Sequence, residues 1–347
     1  MPASGKVNED SVRERGAGML RVGSVGCGQM ASALLRKSVA MGRATIGAIY
    51  DPDPVALAER CAEFGAEPCS SIDEIKARTD VDVFIVGSPP LRHHENVMAL
   101  APLGKPIYCE KPLCTTAALC TEMIEACHAG GSKLFVGQVL RLFPFMWKSR
   151  ELIDSGAIGT PIITTVRRSG FGGPFTHGWR TRFADSGGVL LEVNSHELDY
   201  LIFLMGQPES VLAHGFNLTK HGDFDDAVIV TIKFESGGIG VLHSSLSSPV
   251  GEYGIQIQCT AGNIIHGGFG GEFKYRSFTD TATTIIKREE LNDMKDPYDW
   301  ELESFFDWVE KGTPPFFTGE TGRENVALAD AAHKSLKTGV WEPVQKF

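Results

Sequence analysis

The chain reads as an α/β protein of two domains: a doubly wound parallel sheet, then an α/β domain with a large, mainly antiparallel open sheet. Three observations predict this. An apolar run over residues 20–25 meets a glycine-rich turn and then a helix-prone segment, 31–41. Apolar runs and helical stretches alternate from there to about residue 139, as parallel strands with crossover helices require. From residue 161 the runs become consecutive and mostly alternating, separated by Gly-rich turns, which is the pattern of hairpin-linked strands.

The first run leads into Gly26-Cys27-Gly28-Gln29-Met30-Ala31. Such a turn leaves backbone N–H groups bare at the positive end of a helix, where a pyrophosphate binds without any cationic side chain. Gly26 allows the turn, Gly28 lets the backbone approach the phosphates, and Ala31 stands at the third small position of the G-x-G-x-x-G/A fingerprint. Gly26, Gly28, Gln29 and Met30 are therefore candidate cofactor contacts. The next run, 45–50, ends in Asp51, 23 positions beyond Gly28, close to the spacing at which an acid meets an adenosine ribose. The other duty open to Asp51 is capping the helix after Pro52. A carboxylate here repels a 2′-phosphate and no Arg follows within several residues, so NAD is favoured over NADP.

A helix over 55–64, a short strand near 66–69 and a short helix after Asp73 come next. Residues 81–87 form the near-continuous apolar run of a parallel strand buried on both faces. At its carboxyl edge, where a doubly wound sheet carries its ligand, lie Ser88 and, in the following helix, His93, both candidate cofactor contacts. A strand over 104–109 ends in Glu110-Lys111-Pro112. Pro112 cannot continue a ladder and restrains Lys111, so the ammonium is held at the crevice. Glu110 and Lys111 join the cofactor contacts. A helix over 115–129 and a strand over 133–139 complete a nucleotide-binding domain of residues 19–141.

Residues 142–347 are read as a substrate-binding and oligomerisation domain. A helix ends near Ser155-Gly156, and strands follow at 161–169, 210–217, 227–234, 239–245, 253–259 and 273–278. The Gly-rich stretch 169–182 is either a lid, with Phe171 or Trp179 facing a sugar ring and Arg180 reaching the cofactor, or a surface loop. Asp296-Pro297 caps a helix over 298–310, and Thr321-x-x-Glu324 reads as a capping box for a helix ending before Gly339. Phe305, Phe306 and Trp308 read as core.

Within this half lies Ser186-Gly187-Gly188-Val189-Leu190-Leu191-Glu192-Val193-Asn194-Ser195-His196-Glu197-Leu198-Asp199. Asn194 and Glu197 are spaced as N-cap and N3, so a helix is expected to start there and run to about Met205, with His196 in its first turn. The positive helix end keeps the imidazole neutral and able to accept a proton. Asp199 shares its face. Alone, His196 and Asp199 read equally as a polar helix face and Glu192 as a solvated strand end; the glycine pair, the cap and the clustered acids turn the reading toward an active site.

With 33 basic and 43 acidic residues the formal charge is −10, which argues against nucleic acid or an anionic membrane as partner. Eight cysteines show no C-x-x-C pair and no zinc-ligand spacing, so reduced core thiols, a cytoplasmic location and no metal are expected. Residues 1–18 are polar and read as a disordered tail. No apolar run approaches the ~20 residues needed to span a membrane.

Taken together, the Gly26–Ala31 turn, Asp51, Pro89 with His93, Glu110-Lys111-Pro112, Arg141 with Pro144, Trp179-Arg180, Gly187-Gly188 and the segment from Glu192 to Asp199 resemble, in order and spacing, the glucose-fructose oxidoreductase, inositol dehydrogenase and rhizopine catabolism family, Gfo/Idh/MocA. The resemblance implies a Rossmann domain followed by an open-sheet α/β domain, often paired through that sheet into dimers or tetramers. It also implies that Lys111 is catalytic and touches both nicotinamide and substrate, that Glu192 and His196 handle the proton, and that Asp199 binds substrate hydroxyls. Arg141 and Trp179 are counted with Lys111, His196 and Asp199 as substrate contacts. The strand-end acid, commonly Asp, is Glu192 here, and Asn194-Ser195 replaces the usual small and apolar pair. The expected activity is NAD-dependent oxidation of a secondary hydroxyl of a cyclic polyol, sugar or glycoside by hydride transfer. Its alternatives are a glycoside-cleaving enzyme using transient oxidation and elimination, and a non-catalytic NAD or sugar sensor.

Overall fold

Six strands, β1 (Leu20–Val25), β2 (Ala44–Tyr50), β3 (Glu67–Cys69), β4 (Val83–Val86), β5 (Ile107–Cys109) and β6 (Leu134–Val136), lie parallel in the order β3-β2-β1-β4-β5-β6. The computed structural model describes residues 18–347, so the expected tail falls, but for Gly18, outside the described residues. Connections run one way from β1 and the other way from β4, which makes the β1/β4 carboxyl edge the switch point where such sheets bind ligands. Every residue of β4 is buried, as a strand covered on both faces requires.

The crossover helices are α1 (Gln29–Ala40), α2 (Pro54–Phe64), α3 (Ile72–Lys76), α4 (Pro90–Leu100) and α5 (Ala117–Gly130). Asp53 caps α2 by accepting from the Val55 and Ala56 amides at 2.9 and 3.2 Å. Ser71 caps α3, which therefore starts before Asp73 rather than after it. All eight cysteines are free and buried.

After α6 (Pro144–Asp154) comes β7 (Pro161–Phe171), then α7 (Ser195–Met205), β8 (Pro208–Phe216), β9 (Ala227–Phe234), β10 (Ile239–Ser245), β11 (Ser247–Cys259), β12 (Gly262–His266), β13 (Glu272–Ser277) and β14 (Thr284–Lys287). With β15 (Glu342–Pro343) these strands form a nine-stranded sheet, β14-β13-β12-β11-β7-β10-β9-β8-β15, antiparallel except for the β7–β10 pair. Residues 169–171 continue β7, so the expected loop is shorter: two single helical turns at Gly173–Thr176 and Gly178–Thr181. β12, β14 and β15 were not legible as strands; they are short, and β14 is largely exposed, so no apolar alternation marks them.

One face of the large sheet is covered by helices, and the alternation of β9 follows from that. On the other face Ile163, Ile229, Ile239, Ile265 and Ile285 stand exposed. The last two helices, α8 (Pro297–Lys311) and α9 (Gly319–Thr338), return to the first sheet. Asp296 caps α8 as expected. The N-cap of α9 is Thr318, not Thr321. A side chain at Gly319 would meet Ile124 and Leu134 at 2.9 Å, and one at Gly322 would meet Leu113 at 2.9 Å, so the extra first turn is glycine-smooth where it lies on α5 and β6. No helix among the described residues is long and apolar enough to cross a membrane.

Candidate active site

The glycine turn has the shape a dinucleotide needs. Gly26 has φ +90°, and a Cβ there would stand 2.7 Å from the Ser88 amide, so no side chain fits. A Cβ at Gly28 would meet nothing within 4 Å, which leaves free volume over the turn for a phosphate. The first turn of α1 has no side-chain cap and no acid, so its amides are available to an anion. Gln29 and Met30 are exposed beside it. Ala31 is fully buried, and a Cβ on Gly87 would come within 2.6 Å of the Ala31 Cβ. The third small position is thus a close contact of α1 with the end of β4. Asp51 reaches back: its Oδ2 accepts from the Cys27 amide at 2.8 Å and its Oδ1 from the Asp53 amide at 2.9 Å. Asp53 holds the helix-cap duty that Asp51 had as its alternative. Burial first, then the Asp51 carboxylate, pushes the Cys27 thiol up to about 12.

At the switch point the Ser88 hydroxyl is held by Asn96 Nδ2 at 2.9 Å. His93 is corrected from cofactor contact to brace. It is completely buried, and its ring nitrogens lie 2.7 Å from the Ser88 carbonyl and 2.9 Å from the Pro112 carbonyl, so neither is free for a ligand. Burial holds its pKa below the usual value, against the pull of those carbonyls. The ring ties the loop after β4 to the Lys111-Pro112 segment. Glu110 is buried, accepts from the Lys111 amide at 3.1 Å, and is pushed by burial up to about 7.

Lys111 extends into the second half of the molecule, where its Nζ donates to the Glu192 carbonyl at 2.8 Å. Glu192 is not at a strand end. Val189–Val193 form a wide π-helical turn, entered through Gly187 and Gly188 at φ +70° and +65°, that runs directly into α7. The five-residue apolar run imitates a strand; the positive-φ glycines turn it instead. The Glu192 carboxylate accepts from Arg180 Nε at 3.1 Å, and Arg180 lies over Trp179 at 4.3 Å from its ring centre. Among the described residues Glu192 makes no hydrogen bond to His196, so its expected orienting role is not realised by direct contact.

His196 stands in the first turn of α7. Its Nδ1 is buried with no partner among the described residues. Burial, then the cations of Lys111 and Arg168, hold its pKa well below the usual value, so the ring is neutral. The Asn194–Glu197 spacing yields a different bond from a capping box: Asn194 Nδ2 donates to Glu197 Oε2 at 3.0 Å. Asp199 is fully buried, and Arg141 grips it in a fork, Nε to Oδ2 at 2.7 Å and Nη2 to Oδ1 at 2.5 Å. The carboxylate expected to meet substrate hydroxyls is therefore occupied by the arginine expected to do the same.

Sequence reasoning missed the support beneath the histidine. The buried Glu197 carboxylate also accepts from Arg168 Nη1 at 2.8 Å and the Tyr253 hydroxyl at 3.1 Å, while Arg168 reaches the Val193 carbonyl at 3.1 Å. Asn325, from α9, donates to the Ser195 carbonyl at 2.8 Å. The one local signal was Arg168 itself, a cation in a strand on its helix-covered face.

A dinucleotide turn at the sheet edge that also carries Lys111, itself bonded to the turn that leads into a neutral imidazole, defines an NAD-binding oxidoreductase. Comparison with known proteins gives the family: residues 20–138 match the model of the oxidoreductase family with an NAD-binding Rossmann fold, and residues 146–265 match the GFO/IDH/MocA C-terminal domain. The chain belongs to the Gfo/Idh/MocA family. It is 30% identical over 339 residues to the myo-inositol 2-dehydrogenase of Thermotoga maritima, covering 92% of this chain and 96% of that one. It is 29% identical over 294 residues to the 1,5-anhydro-D-fructose reductase of Ensifer adhaerens, covering 81% and 87%. Levoglucosan dehydrogenase, solved with NADH and levoglucosan, has the same fold, with a TM-score of 0.85 at 22% identity over 94% of this chain and 100% of that one.

Proposed function

We propose that this oxidoreductase, of the sugar and polyol dehydrogenase type, oxidises a secondary hydroxyl of a cyclic polyol, sugar or glycoside with NAD. The observation that carries the reading is the 2.8 Å bond from Lys111 to the Glu192 carbonyl, which joins a cation at the edge of the first sheet to the turn that leads into the helix bearing His196. Bound NAD supplies the hydride acceptor. Lys111 polarises the substrate oxygen and favours its alkoxide character, and neutral His196 receives the hydroxyl proton. Glu192 holds Lys111 through its carbonyl and Arg180 through its carboxylate. The reading of Asp51 as a ribose contact favours NAD over NADP. The exposed isoleucine face of the large sheet supports assembly as a homodimer or homotetramer.

Purified protein with NAD, screened against inositols, hexoses and glycosides, is expected to form NADH with at least one class. Lys111→Ala and His196→Ala each lower turnover by at least ~10² while NAD affinity stays within a few-fold. Full activity in either variant refutes the assignment. Product without net NADH indicates cleavage by transient oxidation and elimination instead.

A further inference from the structure

We infer that the substrate is a sugar acid, and that its carboxylate is received by Arg168 and Arg180 while a ring hydroxyl lies at His196 and Lys111. The inference rests on the dehydrogenase reading above and narrows its substrate class. Three cations converge on one short segment. Lys111 holds the Glu192 carbonyl, Arg168 the Val193 carbonyl and the Glu197 carboxylate, and Arg180 the Glu192 carboxylate. Only two carboxylates answer them. Lys111 forms no ion pair among the described residues, and Arg141 and Asp199 cancel each other elsewhere. Glu110, beside Lys111, keeps its proton up to about pH 7 and compensates only in part. With Glu110 protonated, the three cations outnumber the two paired carboxylates by one, a balance that favours a resident anion beside the free guanidinium edges.

The guanidinium geometry says what kind of anion. Among the described residues Arg168 spends only Nη1 on the protein, and about a third of its side chain is exposed. Its free Nε–Nη2 edge is the one with which Arg141 grips a carboxylate inside this same protein. Among the described residues Arg180 spends only Nε, leaving both Nη groups free, with 38% of its side chain exposed. A planar carboxylate matches such an edge with two parallel hydrogen bonds. A single excess charge suits a monoanion, whereas the second charge of a phosphate dianion has no cation left to answer it beside Glu192 and Glu197. A neutral polyol leaves the edge and the charge unanswered.

The test uses the full-length protein with matched pairs, glucuronate with glucose and galacturonate with galactose, and a sugar phosphate as a third arm. NADH formation gives kcat/KM, and calorimetric titration of the NADH-loaded protein gives affinity. The uronate is expected to exceed its neutral partner by roughly 10- to 100-fold. Arg168→Gln should cut that ratio at least about tenfold, chiefly through KM, and Arg168→Lys, which keeps the charge but loses the fork, should restore only part. Because Arg168 also braces Glu197, Arg180→Gln is the second variant, and it too should lower the ratio. Neutral sugars turned over as well as the uronates, or a sugar phosphate bound better, overturn the inference while the dehydrogenase reading stands. If neither these arms nor the inositols and glycosides of the wider screen yield NADH, that reading fails; titration then decides, with uronate binding lost in Arg168→Gln sustaining the carboxylate site and equal binding of acid and neutral sugar ending it.

Discussion

Asp199 and Arg141, both expected as substrate contacts, are bonded to each other. The carboxylate is fully buried; burial raises its pKa and the Arg141 fork opposes the rise. The guanidinium is sheathed by Phe203 and Phe317, at 4.9 and 5.5 Å from the ring centres. Such a pair is weak evidence of net stabilisation, but breaking it leaves one charge buried and uncompensated, at a cost of about 3–5 kcal/mol. Arg141→Ala is therefore expected to lower the unfolding free energy by about that amount, and Arg141→Ala with Asp199→Ala together by clearly less than the sum of the two. Urea unfolding of the two single variants and the double variant measures the coupling. Were Asp199 instead a substrate contact, its removal would raise KM and leave the unfolding midpoint in place.

At the scale of elements, the dinucleotide turn works because α1 lies hard against the end of β4. Gly87→Ala would drive a methyl to within 2.6 Å of the Ala31 Cβ, so α1 must shift outward and carry its amides with it. The expected result is a loss of about 1–3 kcal/mol in stability and an NADH affinity at least about tenfold weaker. Fluorescence titration with NADH and a thermal melt check both. This unit was legible in the sequence because its causes are local: an apolar run, a turn only glycine makes, and a small residue three places on. The same holds for the Asp296-Pro297 start of α8. The turn bearing Glu192 was not legible, since Val189-Leu190-Leu191 is as good a strand as a helix and only the conformation of Gly187 and Gly188 decides between them. His93 stands at the right edge with the right chemistry, and nothing nearby in sequence says that two carbonyls from different loops enclose it. Arg168 and Tyr253 converge on Glu197 through the pairing of β7 with β11, a register that joins residues 85 positions apart.

Over the whole molecule, the return of α8 to the first sheet creates a junction with two kinds of contact. At its rim Lys37 meets Asp296 and Asp299, and Arg43 meets Asp307 and Glu310; such half-exposed pairs contribute little each. Inside, Tyr108 donates to Glu301 at 2.8 Å, and both are buried near Glu110. Burial, then the Glu110 charge, holds Glu301 well above the usual carboxylate range, and burial raises Glu110 to about 7. The folded chain thus keeps protons that the unfolded chain, with glutamates near 4.3, has already released. The stability tied to a raised pKa is complete below the unfolded value and disappears as pH rises through the folded one. His93, His196, His266 and His333 are all lowered by burial, the last two to about 3 and about 4, and they act in the opposite sense around pH 6.5, where unfolded histidine takes up protons. Between pH 6.5 and 8 the carboxylates outweigh the upper end of the histidine titration, and the unfolding free energy should fall by of order 1 kcal/mol. Urea denaturation across that interval measures it. Glu301→Gln, which keeps the shape and can never ionise, should flatten the decline, and a wild-type profile that rises with pH would show that these two acids are ionised in the folded protein.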